Sequence, residues 1–168
     1  GSLSVNGEIE GKLSDLITNL SLNITNPQLS GVRLREEWRG KFIGLAGGGG
    51  ELKMSSFGTA VPGNLVAQFS RNWSLANLNF SRLGGQISLN GKSNSYQWEA
   101  NKFRLDRVEV SIPPERSFKR VFGELIGKGN LSLSPLSVDG NITMRYPRIM
   151  GLRLREAQLE GSYYKENY

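Results

Sequence analysis

Residues 19–25, Asn-Leu-Ser-Leu-Asn-Ile-Thr, alternate strictly between polar and apolar side chains. Successive side chains of a β-strand point to opposite faces, so this alternation predicts a strand with one buried and one solvated face. The same two-residue period recurs along most of the chain, for example in residues 5–13 and 108–112. Pairs such as Asn90-Gly91 suit the tight turns of β-hairpins. The sequence therefore predicts a mostly antiparallel, all-β fold.

The length and the composition narrow the architecture further. The chain has 168 residues, which is typical of one domain, and we predict a single β-rich domain over residues 1–168. Gly1-Ser2 resembles the remnant of a cleaved expression tag. The apolar faces can be buried in a packed sandwich or barrel, or they can line a curled sheet whose interior stays partly open. Aliphatic faces with interspersed small residues favour the curled sheet with an apolar concave interior.

One segment departs from the two-residue period. Phe118, Val121, Phe122 and Leu125 follow the spacing of one helical face, and Pro114 suits the first turn of a helix. We therefore predict a short helix over residues 114–126. Two roles are open for it: a plug at one end of the β structure, or a mobile gate over an apolar interior.

Two stretches of the chain resemble each other. Residues 26–36, Asn-Pro-Gln-Leu-Ser-Gly-Val-Arg-Leu-Arg-Glu, match residues 146–156, Tyr-Pro-Arg-Ile-Met-Gly-Leu-Arg-Leu-Arg-Glu. Self-similarity of this kind indicates a repeating architecture that adds strands to a growing sheet. We expect the chain to be a fragment of a larger, repeat-built protein.

The alternation assigns side chains to faces. We predict an apolar lining made by Leu20, Leu22, Val32, Leu34, Ile142, Met144, Leu152 and Leu154. Arginines alternate with the apolar residues at 32 and 34 and at 152 and 154. These arginines should point outward: Arg33, Arg35, Arg153 and Arg155. Two interpretations of these arginines are open: they keep an exposed sheet soluble, or their guanidinium groups bind phosphate.

The composition argues against catalysis. The chain has no His and no Cys, so it lacks the residues of a Ser-His-Asp or Cys-His nucleophile and of a thiolate or imidazole zinc site. Carboxylates are scattered, and the glycine run at residues 47–50 lacks the Gly-Lys-Ser/Thr ending of a phosphate-binding loop, so it is predicted to be a plain loop. We predict no enzymatic activity, no cofactor and no metal site. A net charge of +6 without interleaved aromatics does not favour nucleic acid as a partner.

The strand-and-turn style resembles the TamB family, the translocation and assembly module proteins related to AsmA-like bridge-type lipid transfer proteins. The resemblance rests on the turns at residues 26–31 and 146–151, which share the form x-Pro-x-apolar-x-Gly, and on the alternating strands between them. It implies a β-taco, a curled sheet within a large protein that spans the cell envelope.

The resemblance also implies a function and partners. Such a segment would conduct phospholipid between the inner and outer membranes, with acyl chains along its apolar interior, and would support outer-membrane protein assembly. The parent chain would be anchored in the inner membrane, lie in the periplasm or intermembrane space, and partner an outer-membrane barrel-assembly protein. The alternative is a structural β-solenoid or scaffold segment of a secreted or surface protein with a sealed core.

Overall fold

The computed structural model describes residues 1–10, 17–29, 31–92, 94–111, 117–133 and 136–164. Within these ranges all regular structure is β-strand, and all strands belong to one antiparallel sheet. The strands are β1 (Ser2–Glu10), β2 (Ile17–Thr25), β3 (Gln28–Leu29), β4 (Val32–Leu34), β5 (Glu37–Gly44), β6 (Gly50–Phe57), β7 (Gly63–Phe69), β8 (Leu75–Arg82), β9 (Gly85–Lys92), β10 (Ser95–Arg104), β11 (Val108–Ser111), β12 (Phe118–Leu133), β13 (Leu136–Ile149), β14 (Leu152–Arg153) and β15 (Glu156–Tyr164). The predicted all-β, antiparallel class is confirmed.

The sheet is built mainly from strands that follow one another in the chain. Its order is β1-β2-β5-β6-β7-β8-β9-β10-β12, and β12 then pairs with β13, which pairs with β15. Short β3 and β4 form a hairpin outside this order, and β4 pairs with β11. Among the described strands, β1 pairs only with β2 and β15 only with β13, so the sheet does not close.

The pairing register separates the two faces of the sheet. One row of directly paired residues is apolar or glycine in every strand that it crosses, and we call it the apolar row. It runs Val5, Leu22, Gly40, Met54, Leu65, Phe80, Ile87, Ala100, Gly127, Ile142 and Leu159. We call the surface that bears this row the apolar face.

The neighbouring row points to the opposite side, because each of its residues is next in sequence to a member of the apolar row. It runs Asn6, Ser21, Lys41, Lys53, Val66, Asn79, Ser88, Glu99, Lys128, Asn141 and Glu160. Apart from Val66, this row is polar or charged throughout. Period-two alternation in the sequence thus becomes one apolar and one polar face.

The sheet bends strongly at one end. The Arg35 N–H, just before β5, donates a hydrogen bond of 3.0 Å to the Arg107 carbonyl, just after β10. Four strands lie between β5 and β10, so a flat sheet would separate these two strands by about 24 Å at ~4.8 Å per strand. The two strands therefore curve toward each other, and the pairing of β4 with β11 ties this end together.

The helix predicted over residues 114–126 is wrong for the residues that the structure describes. Residues 118–126 belong to β12, and residues 114–116 lie outside the described ranges. The register shows why the helical spacing misled. Val121 pairs with Val108 and Leu125 pairs with Phe103 on the apolar face, whereas Phe118 and Phe122 point to the other side, where Arg33 and Arg148 lie over their rings. Two faces of a strand together imitated one face of a helix.

The glycine run behaves largely as predicted. Gly47, Gly48 and Gly49 lie in the loop between β5 and β6 with φ values of 80, 96 and 82°, which side chains with a Cβ rarely adopt. Gly50 is already the first residue of β6.

Candidate functional site

The apolar row changes in exposure from its ends to its middle. Val5 and Leu159, in the two outermost strands, are 48% and 64% exposed. Met54 and Ala100, in the middle strands, are 6% and 2% exposed. The middle of the apolar face is therefore packed, while both flanks leave apolar surface accessible to a ligand.

Aromatic side chains fill the middle of this face. Trp38 on β5 and Phe80 on β8 meet edge to face with ring centroids 5.4 Å apart, although β6 and β7 lie between them. Gly63 on β7 makes room for this contact, because a Cβ there would come within 2.8 Å of the Trp38 ring. Phe80 also packs against Phe103 on β10, at 5.0 Å. These contacts cover the centre of the apolar face near its tied end.

A buried ion pair closes the tied end. Arg82 donates to a carboxylate oxygen of Glu36 and, at 2.5 Å, to the carbonyl of Asp106, and both paired side chains are fully buried. Burial raises the pKa of Glu36 above its ordinary value, against the opposing charges of Arg82 and Arg107. Burial likewise lowers the pKa of Arg82, although Glu36 acts in the other direction. The apolar face therefore ends at this buried ion pair, on the side of the sheet where β4 and β11 lie.

The four predicted lining residues on long strands lie on the apolar face. Leu20 and Leu22 stand on β2 and Ile142 and Met144 on β13, and all four are half-buried. Register connects Leu22 and Ile142 to the same apolar row, while Met144 pairs with Leu125 in the row nearer the tied end. They occupy opposite flanks of the sheet, separated by β5 to β12.

The other four predicted residues belong to the two short hairpins of the sheet, one formed by β3 and β4 and one by β14 with the end of β13. Val32 and Leu34 on β4 pair with Val110 and Val108 of β11, and Leu34 is half-buried while Val32 is 44% exposed. Leu152 and Leu154 are 58% and 45% exposed, and β14 pairs only with β13 among the described strands. The structure therefore does not gather Leu152 and Leu154 with the residues of β2.

Arg33 and Arg35 have a specific partner that the sequence did not reveal. Glu109 of β11 is directly opposite Arg33, and its Oε2 accepts from Arg33 Nε at 2.9 Å and from Arg33 Nη2 at 2.5 Å. Its Oε1 accepts from Arg35 Nη1 at 3.4 Å. Burial of the side chain acts to raise the pKa of Glu109, but the hydrogen bonds and charges of Arg33 and Arg35 outweigh it, and the pKa is lowered.

The sequence analysis did not identify the packed centre of the apolar face or the buried charged residues Glu36, Arg82 and Glu109. Arg82 follows Phe80 at the two-residue spacing of the apolar face. A charged residue at a position where the alternation calls for an apolar side chain was the available signal. Glu109, between Val108 and Val110, follows the alternation and lies on the opposite face, so the pattern gave no signal that it would be buried. Neither residue could be assigned a partner, because both ion pairs join residues far apart in the chain.

Within the described ranges no group of three or more acidic, His or Cys side chains could hold a metal ion. In the same part of the chain no helix is long and apolar enough to cross a membrane. No family model, curated protein or solved structure matches this chain.

Proposed function

We propose that this chain is a non-enzymatic segment of an envelope-spanning lipid transfer protein of the TamB type, and that its apolar face carries phospholipid acyl chains. The observation that supports the proposal is the apolar row, which crosses eleven strands from Val5 to Leu159 without one polar side chain. A sheet that binds hydrocarbon needs such a lining, and it needs no group that gives or takes a proton.

The exposed flanks are the parts of this face that we propose for the acyl chains. Val5 and Leu159 leave about half or more of their surface in water, which is costly for a protein that has no ligand to cover them. Each methylene group of a lipid tail that leaves water there contributes ~0.8 kcal/mol. A curled sheet with an open concave side would let the tail slide across the strands, because the apolar row offers no polar side chain to hold it at one point.

The proposal extends to the setting of the parent protein. We infer that it lies in the periplasm or intermembrane space, is anchored in the inner membrane outside this chain, conducts phospholipid between the two membranes and, with an outer-membrane barrel-assembly protein, supports protein assembly there. This part rests on the resemblance of the turns at residues 26–31 and 146–151 to that family.

Crosslinking in cells tests the acyl-chain proposal. A photoreactive residue at Leu22 or Met144 should form phospholipid adducts, because both positions lie on the apolar face. Ser21 and Asn141 are matched controls, since they stand on the same two strands but on the polar face and are exposed. Equal labelling at both sets of positions, or none at either, contradicts the proposal.

The packing of Met54, Ala67 and Ala100 favours one alternative, a structural scaffold whose apolar face is a sealed core. Native mass spectrometry of the purified protein separates the two functions. Co-purified phospholipid that is released by extraction supports the lipid conduit, and a protein free of lipid supports the scaffold.

A further inference from the structure

The two sequence repeats fold into similar hairpins, which match from the proline to Leu34 and Leu154. In the first, Leu34 N–H donates to the Pro27 carbonyl at 3.0 Å, and in the second, Leu154 N–H donates to the Pro147 carbonyl at 3.1 Å. The residue before each proline has a positive φ, 48° at Asn26 and 51° at Tyr146. The glycines that follow match as well, with φ values of 79° at Gly31 and 84° at Gly151. The match ends after Leu34 and Leu154. Asn26 N–H donates to the Glu36 carbonyl at 2.8 Å, whereas Tyr146 N–H donates to the Arg155 carbonyl at 2.9 Å, one residue earlier in the repeat. The second hairpin therefore presents the edge of residues 151–154 in the geometry of residues 31–34, and Arg155 follows directly after it.

The first hairpin holds a strand. Arg35 N–H donates to the Arg107 carbonyl at 3.0 Å, and Ser111 N–H donates to the Gly31 carbonyl at 2.8 Å, which aligns β11 antiparallel to β4. Arg33 and Arg35 then bind the carboxylate of Glu109, which is only 4% exposed. An extended segment with Glu between two valines fills this site.

The second hairpin has the same groups with nothing bound to them in the described part of the chain. Gly151 O and Arg155 N–H make none of the hydrogen bonds that Gly31 O and Arg35 N–H make with β11. Arg153 and Arg155 are exposed and form no ion pair with a described residue. Leu152 and Leu154 are exposed apolar side chains beside an uncovered strand edge, an arrangement that favours pairing with another strand.

We propose that residues 146–156 are a docking site for an acidic β-strand. Its occupant is an extended segment of the pattern apolar-Glu-apolar, which adds antiparallel to β14 and places its carboxylate between Arg153 and Arg155. Main-chain hydrogen bonds to the free strand edge supply part of the binding, as in other cases where a peptide extends a sheet. The two guanidinium groups select the acidic residue, because charge-assisted hydrogen bonds to carboxylate are about twice as strong as neutral ones. Leu152 and Leu154 contact the apolar residues on either side of it.

A synthetic peptide with the sequence of residues 106–112, Asp-Arg-Val-Glu-Val-Ser-Ile, is the direct probe. The protein's own β11 already fills the first hairpin, so the peptide should bind the second. In a titration followed by amide resonances, shifts should concentrate at residues 151–156. A peptide with Glu109→Gln should bind the protein at least tenfold more weakly than the original peptide. The original peptide should likewise bind at least tenfold more weakly to a protein variant that carries both Arg153→Gln and Arg155→Gln.

Arg71→Gln is the matched control, because Arg71 is an exposed arginine in the loop between β7 and β8 and should leave peptide binding unchanged. Several results overturn the proposal: no shifts at millimolar peptide, equal binding of the Glu and Gln peptides, or shifts centred on β1 or on residues 31–35. Shifts at residues 151–156 that grow with protein concentration alone would assign the edge to a second copy of the chain instead. Shifts with inorganic phosphate but none with peptide would make the arginines an anion site and also overturn it.

Discussion

Glu109 and Glu36 are two buried carboxylates whose pKa values move in opposite directions. Burial is the largest influence on both. Arg33, Arg35 and Arg120 form ion pairs with Glu109, and the hydrogen bonds and charges of Arg33 and Arg35 outweigh burial. Glu36 faces Arg82 in a site where neither side chain retains any exposed surface. Surface arginines can remain hydrated on their far side while they pair, and a fully enclosed arginine cannot. The ion pairs of Glu109 and the ion pair of Glu36 should therefore contribute differently to the free energy of unfolding.

Glu109→Gln should lower the free energy of unfolding by about 1–2 kcal/mol near neutral pH, because Arg33 and Arg35 lose a charged hydrogen-bond acceptor and Arg120 loses an ion-pair partner. The folded-state pKa of Glu109 lies below its ordinary value of 4.5. Its contribution is therefore fully present above that value and is lost as the pH falls through the lower folded-state pKa. Urea unfolding across this acid range should show a shallower decline for the variant than for the wild type. Glu8→Gln, an exposed change on β1, is the control, and equal acid dependence of the Glu109 variant and wild type contradicts the assignment.

Arg82→Met should be the more damaging change, by about 3–5 kcal/mol, since it leaves the Glu36 carboxylate buried without its partner. Adding Glu36→Leu to Arg82→Met should restore most of the lost stability, because both buried charges are then gone. Chemical denaturation of the wild type, both single variants and the double variant gives the coupling between the two positions. Additive effects of the two changes would mean that the ion pair does not form.

The two hairpins share their turn but differ in what lies beside them and in where the next strand resumes, since Thr25 pairs with Glu37 and Arg145 pairs with Glu156. β4 is covered by β11, and the half-buried Leu34 is paired with Val108, which is 6% exposed. β14 has no such cover in the described part of the chain. Similar sequence therefore gives a similar turn up to Leu34 and Leu154, but the burial of a side chain depends on a neighbour from elsewhere in the chain.

The substitutions Leu34→Asp and Leu154→Asp measure this difference. From the repeat alone we expect both to be severely destabilising, and the exposure of Leu154 corrects that expectation for the second hairpin. Leu34→Asp should cost about 2–4 kcal/mol, because it buries a charge against Val108, whereas Leu154→Asp should stay within about 0.5 kcal/mol of the wild type. Thermal and urea unfolding check both values. Similar losses for the two variants would show that the second hairpin is covered in solution.

The sheet divides into a tied end, a packed centre and two open flanks. The tied end depends on the β4–β11 pairing and on the Glu36–Arg82 ion pair. The centre depends on large rings that reach across glycine, as Trp38 does over Gly63. The flanks keep apolar side chains in water on β1 and β15. Any hydrocarbon ligand therefore has to enter from the flanks or from the end away from β4.

If the flanks bind acyl chains, affinity should depend on chain length more than on the headgroup. Each additional methylene that the apolar face covers should strengthen binding about fourfold, from ~0.8 kcal/mol per methylene. A series of lysophospholipids with one headgroup and increasing chain length, measured by calorimetry below their micelle concentrations, gives the slope. Val5→Gln and Leu159→Gln should reduce the slope, and Ser21→Gln on the polar face should not. Affinity that is independent of chain length contradicts acyl-chain binding.

The strand class, the face that most side chains take and the shared turn of the two hairpins can be predicted from the sequence. These properties depend on residues close together in the chain: alternation requires only neighbours, and the hairpin requires only its own proline, glycine and backbone. The other features depend on contacts between residues that are far apart in the chain. Residues 118–125 have a helical spacing of apolar side chains, but pairing with the strands on either side makes them part of β12. Their apolar side chains then lie on both faces of that strand. The partner of Arg33 stands 76 residues away, so no local pattern could identify it, and the burial of Glu109 exists only once β4 and β11 have met.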